Sequence, residues 1–349
     1  AVLSAGATTL TLDVRSDHGA CASFDYSSTE QVEVIATMMN DNADIGTGTI
    51  GKRFDQINTE STELKRNAYR DLLFSSDGIQ EFISGVIMYD ETFHQSSLDD
   101  GVSYPDYLTS KGIIPGIKVD AGAHNLAGTD GVKITSGLDG LDERLAAYRK
   151  LGARFAKWRA VINITELNPS DYCINTNDHA LARYAALCHS NDIVPIVEPE
   201  ILMDGTHDIE DSFVVTEEVL HTVFSELYKQ GVQFEEMILK PNMVLSGYDA
   251  DKKAGVDDVA SATVQCFLRS VPAAVPGIAF LSGGQSDEDA TAHLNSMNQI
   301  LGENKPWNLS FSYGRALQQA ALKSWQGSDE NVEKAQNAFM KRAKLNSLA

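Results

Sequence analysis

Short apolar runs alternate with longer amphipathic stretches along the chain from about residue 83 onward. The stretches have helical periodicity, and several open with a capping residue and acidic side chains, as at Thr216, Asp257 and Ser286. Strands that alternate with helices predict parallel βαβ units. The apolar runs, each of the length of a buried strand, are Ile83–Tyr89, Ile113–Val119, Phe155–Ile162, Val194–Ile201, Met237–Val244, Gly277–Leu281 and Trp307–Phe311.

The number of strands favours an α/β fold of the (β/α)8 TIM barrel type. Seven strands are clear, and an eighth within Val32–Met39 would complete the barrel. A doubly wound open sheet competes, but it requires a glycine-rich phosphate loop after its first strand, and no GxGxxG occurs there. We predict one barrel over residues 31–349 that ends in a helix at Glu330–Leu348. Residues 1–30 are predicted to be an N-terminal extension with little structure, or a short arm packed on the barrel.

Charge and composition argue against several classes of function. The 349 residues include 49 acidic and 28 basic side chains, and the net charge of −21 disfavours nonspecific binding to nucleic acid or anionic membranes. No apolar stretch reaches the ~18 residues of a membrane span. The eight histidines form no HxH or HxxxH pattern, so no metal site is predicted. The four cysteines are widely spaced, which is typical of free thiols in a reducing compartment.

Lys240 follows the apolar residues Met237–Leu239 and precedes Pro241, which places an ammonium group near the end of a buried strand. Burial of an unpaired charge is costly, so such a lysine is paired, neutral or used in chemistry. A desolvated lysine amine attacks carbonyl groups and forms Schiff bases. The competing interpretation is a buried stem whose ammonium reaches water, and for a lone lysine that interpretation is favoured.

Further charged residues near the strand ends favour a functional lysine. Lys157 and Arg159 lie two residues apart and therefore share one face of their strand, as do Glu198 and Glu200. Active sites of this barrel class gather at the carboxyl ends of the strands, so these groups are predicted to meet there and to neutralise each other. A second ammonium beside Lys240 would also disfavour its charged form. The whole set is Lys118, Asp120, Lys157, Arg159, Glu198, Glu200 and Lys240.

The last two strands end in residues that suit a phosphate group. Ser282-Gly283-Gly284 exposes backbone N–H groups at a tight turn, and Gly314-Arg315 places a guanidinium beside another exposed backbone. Loops after strands 7 and 8 form the usual phosphate site of TIM barrels, and arginine binds phosphate bidentately. The sequence therefore predicts a phosphorylated substrate.

Taken together, these motifs resemble those of the class I, or Schiff-base, fructose-1,6-bisphosphate aldolases. The resemblance runs from about Asp44 to Ala349, and its details are closest to the plastid form. It implies reversible cleavage of a phosphorylated sugar into two triose phosphates, without metal or cofactor, by a homotetramer in the plastid or, alternatively, in the cytoplasm. The matching segments include GIKVD (116–120), FAKWR (155–159), IVPIVEPEI (193–201), LKPNMV (239–244), FLSGGQS (280–286), FSYGRAL (311–317) and NSLA (346–349).

The resemblance also implies a role for each matching residue. Lys240 forms the Schiff base with the substrate ketone, and Glu198 acts as general acid and base. Lys157 and Glu200 tune the charge around the lysine, and Asp44 takes the proton of the 4-hydroxyl during cleavage. The implied phosphate-binding residues are Ser282, Gly283, Gly314 and Arg315 for the 1-phosphate, and Lys118, Arg159, Thr49, Lys52 and Arg53 for the other phosphate.

The segment before Lys52 departs from the family pattern. Counting back from Lys52 without a gap aligns the family aspartate with Asp44, and puts Ile45 and Gly46 where the family has Glu and Ser. An insertion in the turn would make Asp41 the better match. Loss of a buried Ser hydroxyl would weaken one phosphate contact by ~1–3 kcal/mol.

Two other departures and two other functions bear on the prediction. Glu236 stands where the family has Gly, which is unfavourable if the backbone there has a positive φ. The family continues past NSLA with a tail ending in Tyr, whereas this sequence ends at Ala349. The altered segment before Lys52, the N-terminal extension and the missing tail motivate an alternative, a catalytically impaired aldolase homologue with a scaffold or partner-binding role. Another Schiff-base barrel, such as a transaldolase or deoxyribose-phosphate aldolase, is a second alternative, but two phosphate-binding groups argue against it.

Overall fold

The computed structural model describes residues 9–14, 22–27, 35–37, 48–166 and 169–349. The strands are β1 (Thr9–Val14), β2 (Ala22–Ser27), β3 (Ile35–Thr37), β4 (Gly85–Met88), β5 (Ile114–Lys118), β6 (Gly122–Asn125), β7 (Lys133–Ser136), β8 (Phe155–Ile162), β9 (Val194–Ile201), β10 (Ile238–Leu239), β11 (Gly277–Phe280) and β12 (Asn308–Phe311). The helices are α1 (Gly48–Asp55), α2 (Glu63–Phe74), α3 (Asp90–Phe93), α4 (Tyr104–Ser110), α5 (Leu141–Lys150), α6 (Asp171–Ser190), α7 (Ile209–Lys229), α8 (Val256–Ser270), α9 (Asp287–Leu301), α10 (Arg315–Trp325) and α11 (Val332–Ser347).

Eight parallel strands form one sheet in the order β3, β4, β5, β8, β9, β10, β11, β12. The last strand, β12, contacts the first, β3, so the sheet curls into the predicted (β/α)8 barrel. All seven predicted runs contain a strand, and the eighth strand, Ile35–Thr37, lies within the predicted window. The pairs β1–β2 and β6–β7 are antiparallel and lie outside this sheet. The division of the chain at residue 30 stays a prediction.

An apolar cluster fills the barrel interior at the amino-terminal half of the strands. Phe155 is its largest member, and a Cβ on Gly116 would lie only 2.1 Å from the Phe155 ring, so the neighbouring strand leaves room for that ring by having glycine. Because side chains alternate along a strand, the next inward positions after Phe155 are Lys157 and Arg159. The apolar floor is formed by Ile87, Phe155, Val194, Ile196, Ile238 and Ala279.

A second and larger apolar cluster lies between the strands and the surrounding helices. Outward-facing Trp158, Val197 and Leu239 belong to it, and Trp158 stacks on Tyr184 of α6. The Tyr184 hydroxyl lies 2.6 Å from the carbonyl oxygen of Ala156 and 3.2 Å from that of Ile196, which ties α6 to two adjacent strands. The sheet is therefore packed on both faces, as a parallel sheet requires. None of the described helices is long and apolar enough to cross a membrane.

Helix starts were predicted with mixed success. Ser286 caps α9 as predicted, because its side chain accepts a hydrogen bond from the backbone N–H of Asp289 at 3.0 Å. The predicted start at Thr216 is wrong. Helix α7 begins two turns earlier, where Asp208 and Asp211 form a reciprocal capping box. Thr216 is instead buried within the helix.

The strand β10 is shorter than its apolar run predicted, since only Ile238 and Leu239 pair as strand residues. Pro241 has no N–H for a sheet hydrogen bond, so the pairing ends before it. The buried backbone beyond it bonds to side chains instead: the N–H of Val244 donates to the Thr263 hydroxyl at 2.9 Å, and that of Leu245 to the Ser212 hydroxyl at 3.2 Å. Lys240 thereby lies at the end of the strand.

Asp178, on α6, is a fully buried carboxyl group. Neither of its carboxyl oxygens has a hydrogen-bond partner among the described residues. Burial, together with the nearby Glu226 carboxylate, raises the pKa of Asp178 well above its ordinary value. The folded protein therefore holds this group protonated over a pH range in which the unfolded chain has lost the proton.

We predict that Asp178→Asn stabilises the protein, and increasingly so as the pH rises. An acid with a raised folded-state pKa makes stability fall as pH rises above about 4, where the unfolded chain ionises, and an amide lacks this cost. At pH 8 the gain should be on the order of 1–3 kcal/mol, measurable as a higher melting temperature in thermal shift assays at pH 5 to 8. Glu218→Gln, on the exposed face of α7, is the control and should change little. A variant less stable than the parent at pH 8 would contradict the prediction.

Candidate active site

Lys240 lies buried at the carboxyl end of the barrel strands, where its backbone N–H donates to the carbonyl of Val197 at 2.8 Å. Since Leu239 pairs with Val197, the register brings Lys240 level with Glu198 on the adjacent strand. The Lys240 Nζ lies 3.1 Å from Glu198 Oε1. The lysine is only 3% exposed, so the competing interpretation, in which the ammonium reaches water, does not apply to Lys240.

Glu198 also contacts a second lysine from the opposite neighbouring strand. The Lys157 Nζ lies 2.8 Å from Glu198 Oε2, and Lys157 has no exposed surface. One buried carboxylate thus lies between two buried amines, each on its own oxygen. Such a group can take a proton from one nitrogen and return it elsewhere while the second amine holds it in place.

The outer layer of the site contains two further ion pairs. The Arg159 Nε donates to Glu200 Oε2, one step further along the same two strands. Lys118 is paired with Asp120, which also accepts a hydrogen bond from the backbone N–H of Gly122 at 3.2 Å. Two of the four cations predicted to bind the second phosphate, Lys118 and Arg159, are therefore paired with carboxylates in the protein.

A cavity of about 450 Å³ opens above Lys240 and Glu198. The strand ends of β11 and β12 contribute the turn Ser282–Gly284 and the start of α10 at Arg315. Gly283 and Gly284 have φ of +52° and +87°, which residues other than glycine rarely adopt, and both line the cavity. The predicted site residues that line this cavity are Lys52, Arg53, Arg159, Glu198, Glu200, Lys240, Ser282, Gly283, Gly314 and Arg315.

The remaining predicted residues have different placements. Lys157 and Lys118 are not among the residues that line the cavity: Lys157 contacts Glu198, which does line it, and Lys118 is paired with Asp120. Thr49 belongs to α1, whereas Asp44 lies outside the described residues. Within the described segments, no group of three or more His, Cys, Asp or Glu residues could hold a metal ion.

Comparison with known proteins places this arrangement in a family. Residues 38–349 match the sequence profile of fructose-bisphosphate aldolase class-I. The chain belongs to this family. It is 54% identical over 307 residues to the Xylella fastidiosa (strain 9a5c) protein named "Probable fructose-bisphosphate aldolase class 1", and the match covers 88% of this chain and 91% of that one.

A plant protein and a solved structure are similarly close. The cytoplasmic isozyme of Spinacia oleracea fructose-bisphosphate aldolase is 52% identical, over 88% of this chain and 85% of that one. The structure is fructose-bisphosphate aldolase from Plasmodium falciparum in complex with TRAP and a small molecule inhibitor; it is 49% identical, with a TM-score of 0.86 over 91% of this chain and 90% of that chain. Members of this class I family use a Schiff-base lysine and need no metal or cofactor.

One departure from the aldolase pattern causes no strain. Glu236 belongs to a short 3-10 turn, Phe234–Glu236, and it is absent from the described non-glycine residues with positive φ. The backbone there therefore accepts a side chain, and the condition under which glutamate would be unfavourable is not met.

Sequence reasoning missed several residues that line the cavity. Tyr69 and Gln318 join Lys52 and Arg53, and the Tyr69 hydroxyl donates to the Gln318 carbonyl at 3.3 Å. Tyr248 lies against the glycine turn. These residues come from helices and from a loop, where no strand-end position marks them, so their sequence carried no signal of the site.

We predict that Glu198 and Lys157 are energetically coupled. Glu198→Gln leaves the two lysines without their shared carboxylate, and Lys157→Met removes one partner of a buried pair. Each change should lower the free energy of unfolding by about 3 kcal/mol, whereas the double variant should lose less than the sum by about 1–3 kcal/mol. Urea unfolding followed by circular dichroism measures all three. The exposed pair of changes Glu218→Gln and Lys229→Met should add within about 0.5 kcal/mol. Additive losses for Glu198 and Lys157 would show that the pair is not coupled.

Proposed function

We propose that the protein reversibly cleaves fructose 1,6-bisphosphate to dihydroxyacetone phosphate and glyceraldehyde 3-phosphate through a Schiff base on Lys240. The observation that carries the proposal is the buried Lys240–Glu198–Lys157 group at the base of a cavity lined by cationic side chains. A lysine amine held against a carboxylate, away from water, is equipped to attack a ketone and to exchange the protons that the attack requires.

The barrel order supports binding of a substrate with a phosphate at each end. Arg159 lies on β8, the fourth strand of the barrel sheet, and Arg315 follows β12, the eighth strand. The two guanidinium groups therefore belong to opposite sides of the barrel. Lys240, on the sixth strand, lies between them. Arg315 with the Ser282–Gly284 turn would hold the 1-phosphate, and Arg159 with Lys52 and Arg53 would hold the other.

Carbinolamine chemistry comes first in the proposed reaction. The neutral Lys240 amine attacks C2 of the ketone, and its electron pair forms the C–N bond while the carbonyl electrons move to oxygen. Glu198, which carries the proton that Lys240 gave up on becoming neutral, donates it to that oxygen. It then takes the proton that the nitrogen loses and returns it to the hydroxyl, which leaves as water. The product is a protonated imine. Lys157 keeps the Glu198 carboxylate in place and compensates its charge.

Carbon–carbon cleavage follows from the imine, because it is an electron sink. A base removes the 4-hydroxyl proton, the O–H electrons form the aldehyde carbonyl, and the C3–C4 electrons become the C2–C3 double bond of an enamine. Glyceraldehyde 3-phosphate leaves, the enamine takes a proton at C3, and water hydrolyses the imine. We assign the role of this base to Asp44, and this assignment rests on the family resemblance.

We predict that borohydride, in the presence of fructose 1,6-bisphosphate, labels the protein at Lys240 alone. Reduction of the imine makes a stable secondary amine, so mass spectrometry of the digested protein should find the adduct on the Lys240 peptide. Lys240→Met should lose the label and the cleavage activity, and Lys229→Met, an exposed lysine change on α7, should keep both.

Two outcomes would contradict this proposal. Label on a lysine other than Lys240 would remove the assigned nucleophile. Negligible turnover by a folded wild-type protein would favour the alternative of an aldolase homologue with a scaffold role.

We further predict that Asp44→Asn slows cleavage and Asp41→Asn does not. Loss of the base for the 4-hydroxyl should lower kcat by about 10²–10⁴ while leaving the borohydride label on Lys240, because the imine forms before that proton is removed. Steady-state assays with fructose 1,6-bisphosphate measure kcat. The reverse ranking would assign the role to Asp41, and full activity in both variants would exclude a carboxylate from this segment.

Assembly and compartment are proposals that rest on the family. We propose a homotetramer, as the resemblance implies. The plastid expectation has no support from the comparisons, since the matching plant relative is named a cytoplasmic isozyme. The cytoplasm is therefore the compartment that we propose.

A further inference from the structure

Tyr248 occupies a fixed place above the glycine turn of the cavity. It belongs to the loop between β10 and α8, which bonds to the loop after β9 through three successive backbone N–H groups. The N–H of Gly247 donates to the His207 carbonyl at 2.9 Å, that of Tyr248 to Met203 at 2.7 Å, and that of Asp249 to Gly205 at 2.9 Å. Two loops from adjacent strands thus form one platform.

The two loops also approach each other closely at Gly247. A Cβ on this residue would lie 2.3 Å from the Gly205 carbonyl oxygen, so only glycine lets the backbones come together. These backbone contacts hold the Tyr248 backbone in place, and the platform thereby fixes where the ring starts. Its ring lies 5.8 Å from the Lys253 ammonium.

The Tyr248 hydroxyl contacts the predicted phosphate cradle directly. It donates to the Gly283 carbonyl at 2.8 Å, in the Ser282–Gly284 turn. A Cβ on Gly284 would lie 1.5 Å from this hydroxyl and 2.5 Å from Arg315 Nη2, so the two groups meet over the same glycine. The hydroxyl and the guanidinium are therefore close neighbours on this side of the turn.

The hydroxyl is suited to both partners at once. A phenol has one proton to donate and lone pairs that accept, so it can donate to the Gly283 carbonyl while it accepts from Arg315. Burial raises the pKa of the Tyr248 phenol, and Arg315 opposes that rise only in part, so the proton needed for the bond to Gly283 is retained. One oxygen atom thereby lies within reach of both the turn and the guanidinium.

We propose that Tyr248 is a positioning residue for substrate phosphate, because its hydroxyl holds the Ser282–Gly284 turn and the Arg315 guanidinium in one arrangement before substrate binds. This inference rests on the proposed function for the identity of the substrate. It differs from the assigned phosphate contacts, since Tyr248 acts through Gly283 and Arg315.

The test is Tyr248→Phe, which removes one oxygen and keeps the ring. We expect the KM for fructose 1,6-bisphosphate to rise about five- to tenfold, because the variant lacks one hydrogen bond that positions the phosphate-binding groups. The kcat should stay within about a factor of two of the wild-type value. Fructose 1-phosphate shares the 1-phosphate, so its KM should rise by the same factor. Tyr228→Phe, an exposed tyrosine change on α7, is the matched control and should leave both constants unchanged.

Two further measurements separate positioning from a general structural defect. Dihydroxyacetone has no phosphate, so borohydride trapping of this ketone on the protein should be equal in Tyr248→Phe and wild type. Inorganic phosphate should raise the melting temperature of the wild type more than that of the variant, and this comparison needs no catalytic activity. Failure of the proposed reaction would therefore leave this inference testable.

An unchanged KM for both sugars, with an equal melting shift in phosphate, would overturn the inference. A rise in KM for fructose 1,6-bisphosphate alone would overturn it as well, because it would assign Tyr248 to the other phosphate. A fall in dihydroxyacetone trapping would also overturn it, because the substitution would then damage the site as a whole and not phosphate binding alone.

Discussion

The shared burial of Glu198 between Lys157 and Lys240 is the interaction on which this site depends. A single carboxylate has two oxygens, and each contacts a different amine, at 2.8 Å and 3.1 Å. Removal of charged groups from water is costly, and the cost is offset only when partners are placed well. The barrel meets that requirement by supplying the three groups from three consecutive strands, β8, β9 and β10.

The alternation of side chains along parallel strands accounts for the order of the apolar and charged layers along the barrel axis. Phe155 and Ile196 form part of the apolar floor, and the next inward positions are Lys157 and Glu198. Two residues further along come Arg159 and Glu200, which pair at the cavity. A shift of one residue in register would turn all these charges outward, so the floor and the charged layer depend on the same pairing.

The loops beyond the strands complete the site, and they are held by hydrogen bonds outside the sheet. The segment after Lys240 leaves the strand at Pro241, and its buried backbone groups bond to side chains of α7 and α8. That departure allows the loop to reach the one after β9 and to present Tyr248 to the Gly283 carbonyl. The cavity therefore joins residues from strands, a glycine turn and a loop platform, and the last of these has no periodic pattern in the sequence.

The class of fold, the strand positions and most charged groups of the site could be predicted from the sequence alone. Buried strands appear as apolar runs, and a charged residue within such a run is costly unless it is paired or used in chemistry. Which charges pair with each other depends on the tertiary structure: Glu198 contacts two lysines, whereas Lys118 is paired with Asp120. The short β10, the early start of α7 and the place of Tyr248 were also decided there. The short β10 and the place of Tyr248 depend on hydrogen bonds between residues far apart in the chain, and local composition does not indicate which distant residues will form them.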